Sequence, residues 1–263
     1  MEPLIEKKYF LSANDANAEG RLSVTTLISN IIDIATEHAN SLGIGNPSMV
    51  DMNAGWVLSR LTIDMKEYPS VNTDYVLKTW IEDFNRHFST RCFSISSAEG
   101  KIYGYCRTIW FVIDAINHTN LGLSHFYLPG ELILGEGVPI ERQQKHFPIF
   151  KPGEEPTTVQ KGLTTTHKPY LYTFKYCDLD FYRHVNTVKY VVLLMNQFSL
   201  QEHDERIIGR MELSFLHEAV YGMETVLLRA DSSQNPYLSS FQLSDEAGEA
   251  LLFARITRIL PKS

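Results

Sequence analysis

Cysteine is scarce in this chain, and long apolar runs are missing. The 263 residues contain three cysteines, an odd number, with no C-x-x-C spacing. This pattern argues against a disulfide framework and a thiolate metal site, and it is typical of a reducing compartment. Residues 1–8 lack the apolar centre of a signal peptide, and no apolar run approaches the roughly 20 residues that a membrane-spanning helix needs. The sequence therefore predicts a cytoplasmic protein without stable membrane insertion.

Excess positive charge and several familiar catalytic motifs are also missing. Lysine and arginine number 24 against 31 aspartates and glutamates, which gives a formal net charge of −7. That balance argues against a nucleic-acid binder with a broad basic face. The chain has no G-x-S-x-G elbow, no G-x-G-x-x-G or phosphate-binding loop and no H-E-x-x-H pair, so the usual motifs of serine hydrolases, nucleotide binders and zinc peptidases are not there. We therefore predict no cofactor, no metal and no nucleic-acid partner.

The apolar residues, which make up 44% of the chain, are enough for a sizeable core and are spaced as in a folded unit of defined order. A strand at 8–11 leads to a helix whose apolar residues recur at steps of three and four, with Ser23 as N-cap and Gly43 as stop. Four strand-like runs then follow, at 56–65, 74–81, 88–95 and 101–113. The first half is therefore predicted as a strand, a helix and four strands.

The second half repeats this order of elements. A strand at 170–176 precedes a helix, and short matches such as 60–64 with 210–214 lie 150 residues apart. The apolar face predicted for the helix includes Val185, Val188, Val192, Met195 and Phe198. The four strands that follow are predicted at 209–216, 224–230, 237–243 and 250–260.

This duplication predicts an α+β protein of two similar units. A helix rich in apolar residues packs best against a following antiparallel sheet when the sheet curls around it, and two such sheets can pair edge to edge, which covers exposed edge strands. We predict an N-terminal unit over 1–130, a proline-punctuated linker over 131–166 that is partly ordered against the surface, and a C-terminal unit over 167–263.

The segment 177–190 has the strongest chemical signal. Asp178, Asp180 and His184 lie between a predicted strand and the start of a predicted helix. The first N–H groups of a helix have no partner within it and can hold a developing oxyanion, so acids and an imidazole here are suited to activate water against a carbonyl. The alternative is a helix-capping aspartate with a surface histidine. Glu218, at the end of a strand pattern, is a further candidate base or else a solvated strand-end glutamate.

Several other residues favour structural roles. Cys177 is near His184 in sequence, but this spacing fixes no hydrogen bond, and a thiolate nucleophile is disfavoured. His38 falls on the apolar face of the first helix, which favours a buried, hydrogen-bonded imidazole. The tryptophans are interpreted most simply as core anchors, namely Trp56, Trp80 and Trp110.

Residues 178–190 resemble the signature D-L-D-x-N-x-H-V-N-N-V-K-Y of the acyl-acyl carrier protein thioesterases of plant plastids and bacteria. Other stretches are similar to the segments W-V-x-x-R with Y-P, T-W-x, x-W-x-x-x-D and Y-x-x-E of that family. These stretches are 56–60 with 68–69, 79–81, 109–114 and 215–218. The resemblance covers most of the chain outside the predicted linker.

The resemblance implies a tandem hotdog fold, in which two curled antiparallel sheets each wrap one long helix. It also implies hydrolysis of a fatty acyl thioester on the acyl carrier protein to free fatty acid. By position, it assigns catalysis to Asp180, His184 and Glu218. We therefore expect direct hydrolysis, in which Asp180 or Glu218 is the general base and His184 orients water or protonates the departing thiolate.

Two positions depart from the family pattern. The signature asparagine is Tyr182 here, and a phenol cannot copy the paired functions of an amide, which leaves the orientation of water to Asn186 or to Tyr182 itself. The cysteine that follows the glutamate in plant members is Ala219 here, which disfavours a cysteine nucleophile at that place. N–H groups near the start of the helix around Asn186 are expected to polarise the carbonyl.

The expected ligands are an acyl chain and a carrier protein. The chain would lie in a tunnel beside the first helix, among Ile28, Ile31 and Trp56. The carrier protein is acidic, so exposed cations would form a basic rim, and the candidates are Arg183, Lys189, Arg86 and Arg91. A homodimer through exposed sheet surface stays open, as do two other functions, an acyl-coenzyme A thioesterase and a non-catalytic acyl-binding or regulatory hotdog protein.

Overall fold

The computed structural model of the chain describes residues 1–49, 53–114, 116–117, 119–143, 163–165 and 167–261. The chain divides into two compact units, Met1–Glu141 and Arg142–Ser263. Each unit contains helices and antiparallel strand pairs. Each unit therefore belongs to the predicted α+β class.

Among its described residues, unit 1 has a five-stranded sheet, one long and one short α-helix, and a 3-10 turn at Gly130–Leu132. Its elements are β1 (Leu4–Phe10), α1 (Val24–Ser41), α2 (Asn46–Met49), β2 (Ala54–Met65), β3 (Asp74–Phe84), β4 (Ser89–Ser97) and β5 (Ile102–Asp114). The strands are hydrogen-bonded in the order β1-β3-β4-β5-β2, and every pairing is antiparallel. The predicted strands of the first half are confirmed, with β1 beginning four residues before the predicted strand.

Helix α1 begins and ends where the sequence predicts. The hydroxyl of Ser23 accepts the N–H of Thr26 at 3.1 Å and caps the first turn. Gly43, just beyond the helix, has a φ of +73°, a left-handed conformation that favours glycine after a helix end. The helix contacts β1 and β3. Its buried residues are Leu27, Ile28, Ile31, Ile34, Ala35 and His38.

The segment after β5 packs on the sheet of unit 1. Trp80 on β3 donates its indole N–H to the carbonyl of Glu136 at 2.7 Å, and Arg107 on β5 reaches the carbonyl of Ile140. The buried side chains of Trp80 and Val138 belong to one apolar cluster. These contacts order residues 136–140 against the strands.

Unit 2 has a similar order of elements with a shorter central helix. Its elements are β6 (Leu163–Thr165), β7 (Tyr170–Thr173), α3 (Thr187–Met195), α4 (Leu200–Glu205), β8 (Ile207–Phe215), β9 (Glu224–Ser232), β10 (Leu238–Asp245) and β11 (Ala250–Ile259). The strands pair in the order β8-β11-β10-β9, and β9 also pairs with β6 and β7, all antiparallel. The four predicted strands of the second half are confirmed.

The strand predicted over 170–176 is shorter in the structure. It ends at Thr173, and a 3-10 turn occupies Tyr176–Asp178. The carboxylate of Asp178, only 7% exposed, accepts the backbone N–H of Lys175 at 2.7 Å and the hydroxyl of Tyr172 at 2.9 Å. The aromatic residues of the sequence extend beyond the end of the strand, so the pattern predicted too long a strand. The strand ends early because the hydrogen bonds of Asp178 hold the following residues in a turn.

The buried face of α3 agrees with the predicted face only in part, because Val185 just before the helix and Phe198 just after it are buried as predicted. The deeply buried helix residues are Tyr190, Val191, Leu193 and Leu194. Val188, Val192 and Met195 are half-buried. Because α3 is apolar on several sides, periodicity leaves its buried face ambiguous, and packing selects it.

Candidate active site

A tight loop between the 3-10 turn and α3 is built around Asp180. One carboxylate oxygen, Oδ1, accepts the N–H of Tyr182 at 2.8 Å and the N–H of His184 at 3.1 Å. The N–H of Asp180 donates to the carbonyl of His184 at 2.8 Å. Arg183 within the loop has a φ of +69°, which is uncommon for a residue other than glycine. Asp180 therefore fixes the backbone that presents His184.

His184 lies beside Glu218 in unit 2. The distance between Nε2 of His184 and Oε2 of Glu218 is 3.4 Å, and the two side chains are 31% and 29% exposed. The backbones are also linked, because His184 forms a β-bridge with Val220 and the N–H of Val185 donates to the carbonyl of Ala219 at 2.8 Å. The structure thus brings together an imidazole and a carboxylate that are partly open to solvent, a pair able to take a proton from water and pass it on.

The start of α3 lies directly after this histidine. Asn186 is the N-cap, and its side-chain oxygen accepts the N–H of Val188 at 2.9 Å. The N–H of Asn186 donates to the carbonyl of Asp178 at 2.8 Å, and that of Lys189 donates to the carbonyl of Asn186. The N–H of Thr187 makes no hydrogen bond with the part of the chain that the structure describes. One backbone donor at the positive end of the helix therefore stays available for an oxyanion.

Tyr190 is a residue of this region that the chemical interpretation of the sequence did not single out. It is 4% exposed and packs edge-on against Phe174 and Phe215. Its phenolic oxygen accepts the N–H of Ala219 at 3.3 Å, next to Glu218 in the chain. Burial raises the pKa of Tyr190, so the phenol stays neutral. The only signal for it in the sequence was its place at the end of the 178–190 signature.

The remaining predicted residues of this segment lie on the surface. Tyr182 is 46% exposed, and its ring lies against Phe181 with 3.9 Å between the ring centroids. The side chain of Arg183 is exposed, and that of Lys189 is half-buried. The structure brings none of these three side chains into the His184–Glu218 contact.

Unit 1 contains a cavity of about 40 Å³ between α1 and the sheet. Its lining consists of Ala35, Thr36, Ala39, Ile44, Gly45, Trp56, Ser89, Arg91 and Trp110. The predicted ligand residue Trp56 is among them and donates its indole N–H to the carbonyl of Ile44 at 2.7 Å. Ile28 and Ile31 lie further toward the start of α1 and are fully buried.

The assignment of Arg91 to a basic rim for the carrier protein is wrong. Its side chain lies on β4 at the cavity, and the residue is 4% exposed, so it is not a surface cation. Arg86, by contrast, is exposed. The sequence could not separate the two, because an arginine on a strand with several polar residues fits a solvent-facing position as well as a buried one.

The interpretation of His38 as a buried, hydrogen-bonded histidine is confirmed. It is 0% exposed, with Nδ1 at 2.6 Å from Nη1 of Arg91 and Nε2 at 2.9 Å from the carbonyl of Glu2. Burial, together with the charge of Arg91, lowers the pKa of His38 to about 4. Arginine can only donate, so Nδ1 accepts and Nε2 carries the proton.

Two kinds of feature are not found within the described residues. No helix there is long and apolar enough to cross a membrane. No group of three histidine, cysteine, aspartate or glutamate side chains in the same ranges is arranged to hold a metal ion.

Solved structures with the same architecture define the class of fold. The structure matches an acyl-ACP thioesterase from Bacteroides thetaiotaomicron with a TM-score of 0.83 and 23% identity, over 98% of each chain. It matches the 12:0-ACP thioesterase from Umbellularia californica with a TM-score of 0.78 and 17% identity, over 98% of this chain and 94% of that chain. The fold is therefore a hotdog-like α+β fold.

Family models identify the chain more closely. The model described as the acyl-ACP thioesterase N-terminal domain matches residues 3–120, and the one described as the C-terminal domain matches residues 163–257. The chain belongs to the acyl-ACP thioesterase family.

Plant proteins are among its curated relatives. A chloroplastic palmitoyl-acyl carrier protein thioesterase of Gossypium hirsutum is 22% identical over 85% of this chain and 54% of the relative. A protein of the same description from Cuphea hookeriana is 22% identical over 91% of this chain and 58% of the relative. The chain thus spans somewhat more than half the length of these relatives.

Proposed function

We propose that this protein hydrolyses the thioester of a fatty acyl group carried by the acyl carrier protein and releases the free fatty acid. The observation that carries the proposal is the His184–Glu218 pair at the start of α3, in a chain of the acyl-ACP thioesterase family. Relatives of the chain are described as palmitoyl-acyl carrier protein thioesterases, which supports this substrate class.

In this mechanism, Glu218 is the general base. The sequence left the choice between Asp180 and Glu218 open. Oδ1 of Asp180 already accepts two backbone N–H groups, whereas Glu218 lies within 3.4 Å of the imidazole. Glu218 takes a proton from water as the oxygen attacks the thioester carbon, and this proton passes to the adjacent imidazole of His184, which gives it to the sulfur as the carbon–sulfur bond breaks. The products are the fatty acid and the free thiol of the carrier.

The backbone would stabilise the charge that develops on the carbonyl oxygen. The N–H of Thr187 has no bond to the described residues and lies at the positive end of α3. A fixed amide donor of this kind contributes most when negative charge appears on the oxygen, which lowers the barrier to attack. Asn186 supports this donor by capping the helix, and Asp180 positions His184.

The two units would form a tandem hotdog with the acyl chain in unit 1 and the chemistry in unit 2. The parallel order of elements supports the duplication, since each unit has one principal helix and a run of antiparallel strands after it. The cavity of unit 1 and its residue Trp56 support an acyl site beside α1.

The first prediction tests the catalytic pair by substitution. His184→Ala and Glu218→Gln should each lower kcat/KM for acyl-carrier hydrolysis by about 10²- to 10⁴-fold, because each removes a proton-transfer group. Free acid released from a matched series of acyl-carrier and acyl-coenzyme A substrates is the measurement.

Unit 2 supplies a matched control for this test. His217 and Glu249 form a second imidazole–carboxylate contact at 3.2 Å, with side chains 55% and 59% exposed. His217→Ala and Glu249→Gln should leave the rate unchanged. Full activity of His184→Ala and Glu218→Gln would disprove the mechanism. Equal rates on coenzyme A esters would contradict the carrier assignment, and tight acyl binding without turnover would instead identify a binding protein.

A further inference from the structure

The arginine in the cavity of unit 1 has an unusual environment. Nη1 of Arg91 donates to Nδ1 of His38 at 2.6 Å and contacts Oγ1 of Thr79 at 3.4 Å. Nε and Nη2 make no hydrogen bond with the described residues. Burial lowers the pKa of Arg91 to about 10, which leaves the guanidinium charged at neutral pH.

Neither partner neutralises this charge. His38 is neutral, since it accepts from Arg91 and its pKa is lowered to about 4, and Thr79 is uncharged. In the part of the chain that the structure describes, no carboxylate forms an ion pair with Arg91. The other two deeply buried arginines differ, because Arg229 and Arg258 lie 2.7 and 2.9 Å from a carboxylate oxygen of Glu202.

A buried cation without an anion is costly unless a further polar group reaches it. The cavity is where such a group can enter, since Arg91 lines it. Ser89, two residues earlier on β4, also lines the cavity, and its hydroxyl makes no hydrogen bond with the described residues. The walls around these two polar groups are mainly apolar or aromatic, with Trp56 and Trp110 among them.

We propose that this cavity receives a hydrogen-bond-accepting oxygen on the acyl chain, so that the enzyme prefers oxygenated acyl groups over plain alkyl chains of equal length. The Nε and Nη2 groups of Arg91 donate to this oxygen, and Ser89 adds a hydroxyl. A methyl-ended chain in the same place would leave the guanidinium desolvated without a partner. The inference rests on the proposed acyl-thioester function and narrows its substrate class.

The size of the cavity agrees with a small polar group. A cavity needs about 10–15 Å³ of space open to a water-sized sphere in order to hold one water. The space of about 40 Å³ therefore has room for a carboxylate or for a hydroxyl with its carbon. The hydroxyl and the carboxylate share the acceptor oxygen that the guanidinium requires, and only the carboxylate also supplies a counter-charge.

The test compares kcat/KM for pairs of acyl-carrier substrates with equal carbon number, one methyl-ended and the other with a terminal hydroxyl or carboxylate, over a series of chain lengths. At the length that reaches the cavity, the oxygenated substrate should be preferred by about tenfold or more, the usual effect of a hydrogen bond to a charged group. Arg91→Met should abolish or reverse the preference. Lys78→Met, which removes an exposed cation paired with Glu6 in the same unit, should retain it.

Two further measurements separate the possible outcomes. Ser89→Ala, a small change, should reduce the preference even if Arg91→Met does not fold. Calorimetry with matched free hydroxy, dicarboxylic and plain fatty acids tests the cavity without turnover. Preference of the wild-type protein for methyl-ended chains at every length would overturn the inference while leaving the thioesterase proposal intact. Absence of hydrolysis together with tighter, Arg91-dependent binding of oxygenated acids would refute the thioesterase proposal and support the cavity assignment.

Discussion

His38 and Arg91 are two basic side chains that share a buried hydrogen bond at 2.6 Å. The contact is stable only while the imidazole is neutral, because a protonated histidine would place a second positive charge beside the guanidinium and lose its acceptor. Burial and Arg91 together lower the pKa of His38 to about 4. A single residue of α1 therefore links the stability of unit 1 to pH.

The stability of the protein should fall as the pH is lowered from about 6.5 to about 4. In this range the unfolded chain binds a proton at His38 and the folded chain does not, so acid favours unfolding by up to roughly 3 kcal/mol from this group. Urea unfolding at a series of pH values measures the effect.

Substitution isolates the histidine from other titrating groups. His38→Asn keeps an acceptor for Arg91 but cannot titrate, so its stability should vary less between pH 6.5 and 4 than that of the wild type. His217→Asn, at an exposed site, should leave the change of stability with pH as it is in the wild type. Carboxylates affect stability at a lower pH than this histidine does. Arg229 helps to lower the pKa of Glu202 to about 2, so the stability that this ion pair contributes is lost only below the ordinary pKa of glutamate. If the stability of His38→Asn varied with pH as much as that of the wild type, the assignment of the pH dependence to His38 would be contradicted.

At the scale of elements, the start of α3 connects helix capping with the proposed chemistry. Asn186 satisfies the N–H of Val188, while Asp180 and the carbonyl of Asp178 order the residues just before the helix. This arrangement leaves the N–H of Thr187 available. The sequence suggested two roles for Asn186, orienting water or lying where N–H donors polarise the carbonyl, and the capping bond favours the second.

Two substitutions of Asn186 should distinguish these roles. Asn186→Ala removes the cap and should cost about 1 kcal/mol of stability, with a loss of kcat as the helix start loosens. Asn186→Ser keeps an acceptor oxygen but has no amide donor. Its free energy of unfolding should therefore stay within a few tenths of a kcal/mol of the wild-type value, and it should retain most activity. Urea unfolding and initial rates measure both. Strong loss of activity in a stable Asn186→Ser variant would show that the amide acts on water directly.

At the scale of the whole molecule, charge matters because both the protein and its proposed partner are acidic. The chain has a net charge of −7, so docking of a carrier protein depends on local cations. Arg86 and Arg183 are exposed and Lys189 is half-buried, whereas Arg91 is buried. The candidate docking cations are thus reduced to three.

Carrier docking should weaken as salt is raised, because exposed charge pairs are screened over a Debye length of about 8 Å at physiological ionic strength. Arg183→Gln should raise KM for the acyl carrier by about two- to fivefold with little change in kcat, as expected for an exposed ion pair. Lys101→Gln, at an exposed lysine paired with Glu67 at 2.6 Å, is the control and should have no effect. A KM that is indifferent to salt would contradict a charged docking site.

The sequence predicted most of the fold because the fold depends here on local signals. Ser23 and Gly43 mark the ends of α1 by capping and by a left-handed conformation, and alternating or continuous apolar runs mark the strands. The sequence also identified two candidate catalytic residues. His184 was recognised by the 178–190 signature, and Glu218 by its place at the end of a strand pattern. Where local signals compete, prediction was weaker: α3 is apolar on several sides, and β7 ends where Asp178 bends the chain.

What the sequence determined by itself was the order of elements, their caps and the types of residue available for chemistry, because these depend on neighbours a few positions away. Only the tertiary structure decided which of these residues meet. His184 and Glu218 are 34 positions apart and come within 3.4 Å because the backbones around them bridge, and Arg91 becomes a buried cation because β4 packs under the helix that carries His38, 53 positions earlier. Burial and long-range contact arise from packing the whole unit, which no short stretch of sequence specifies.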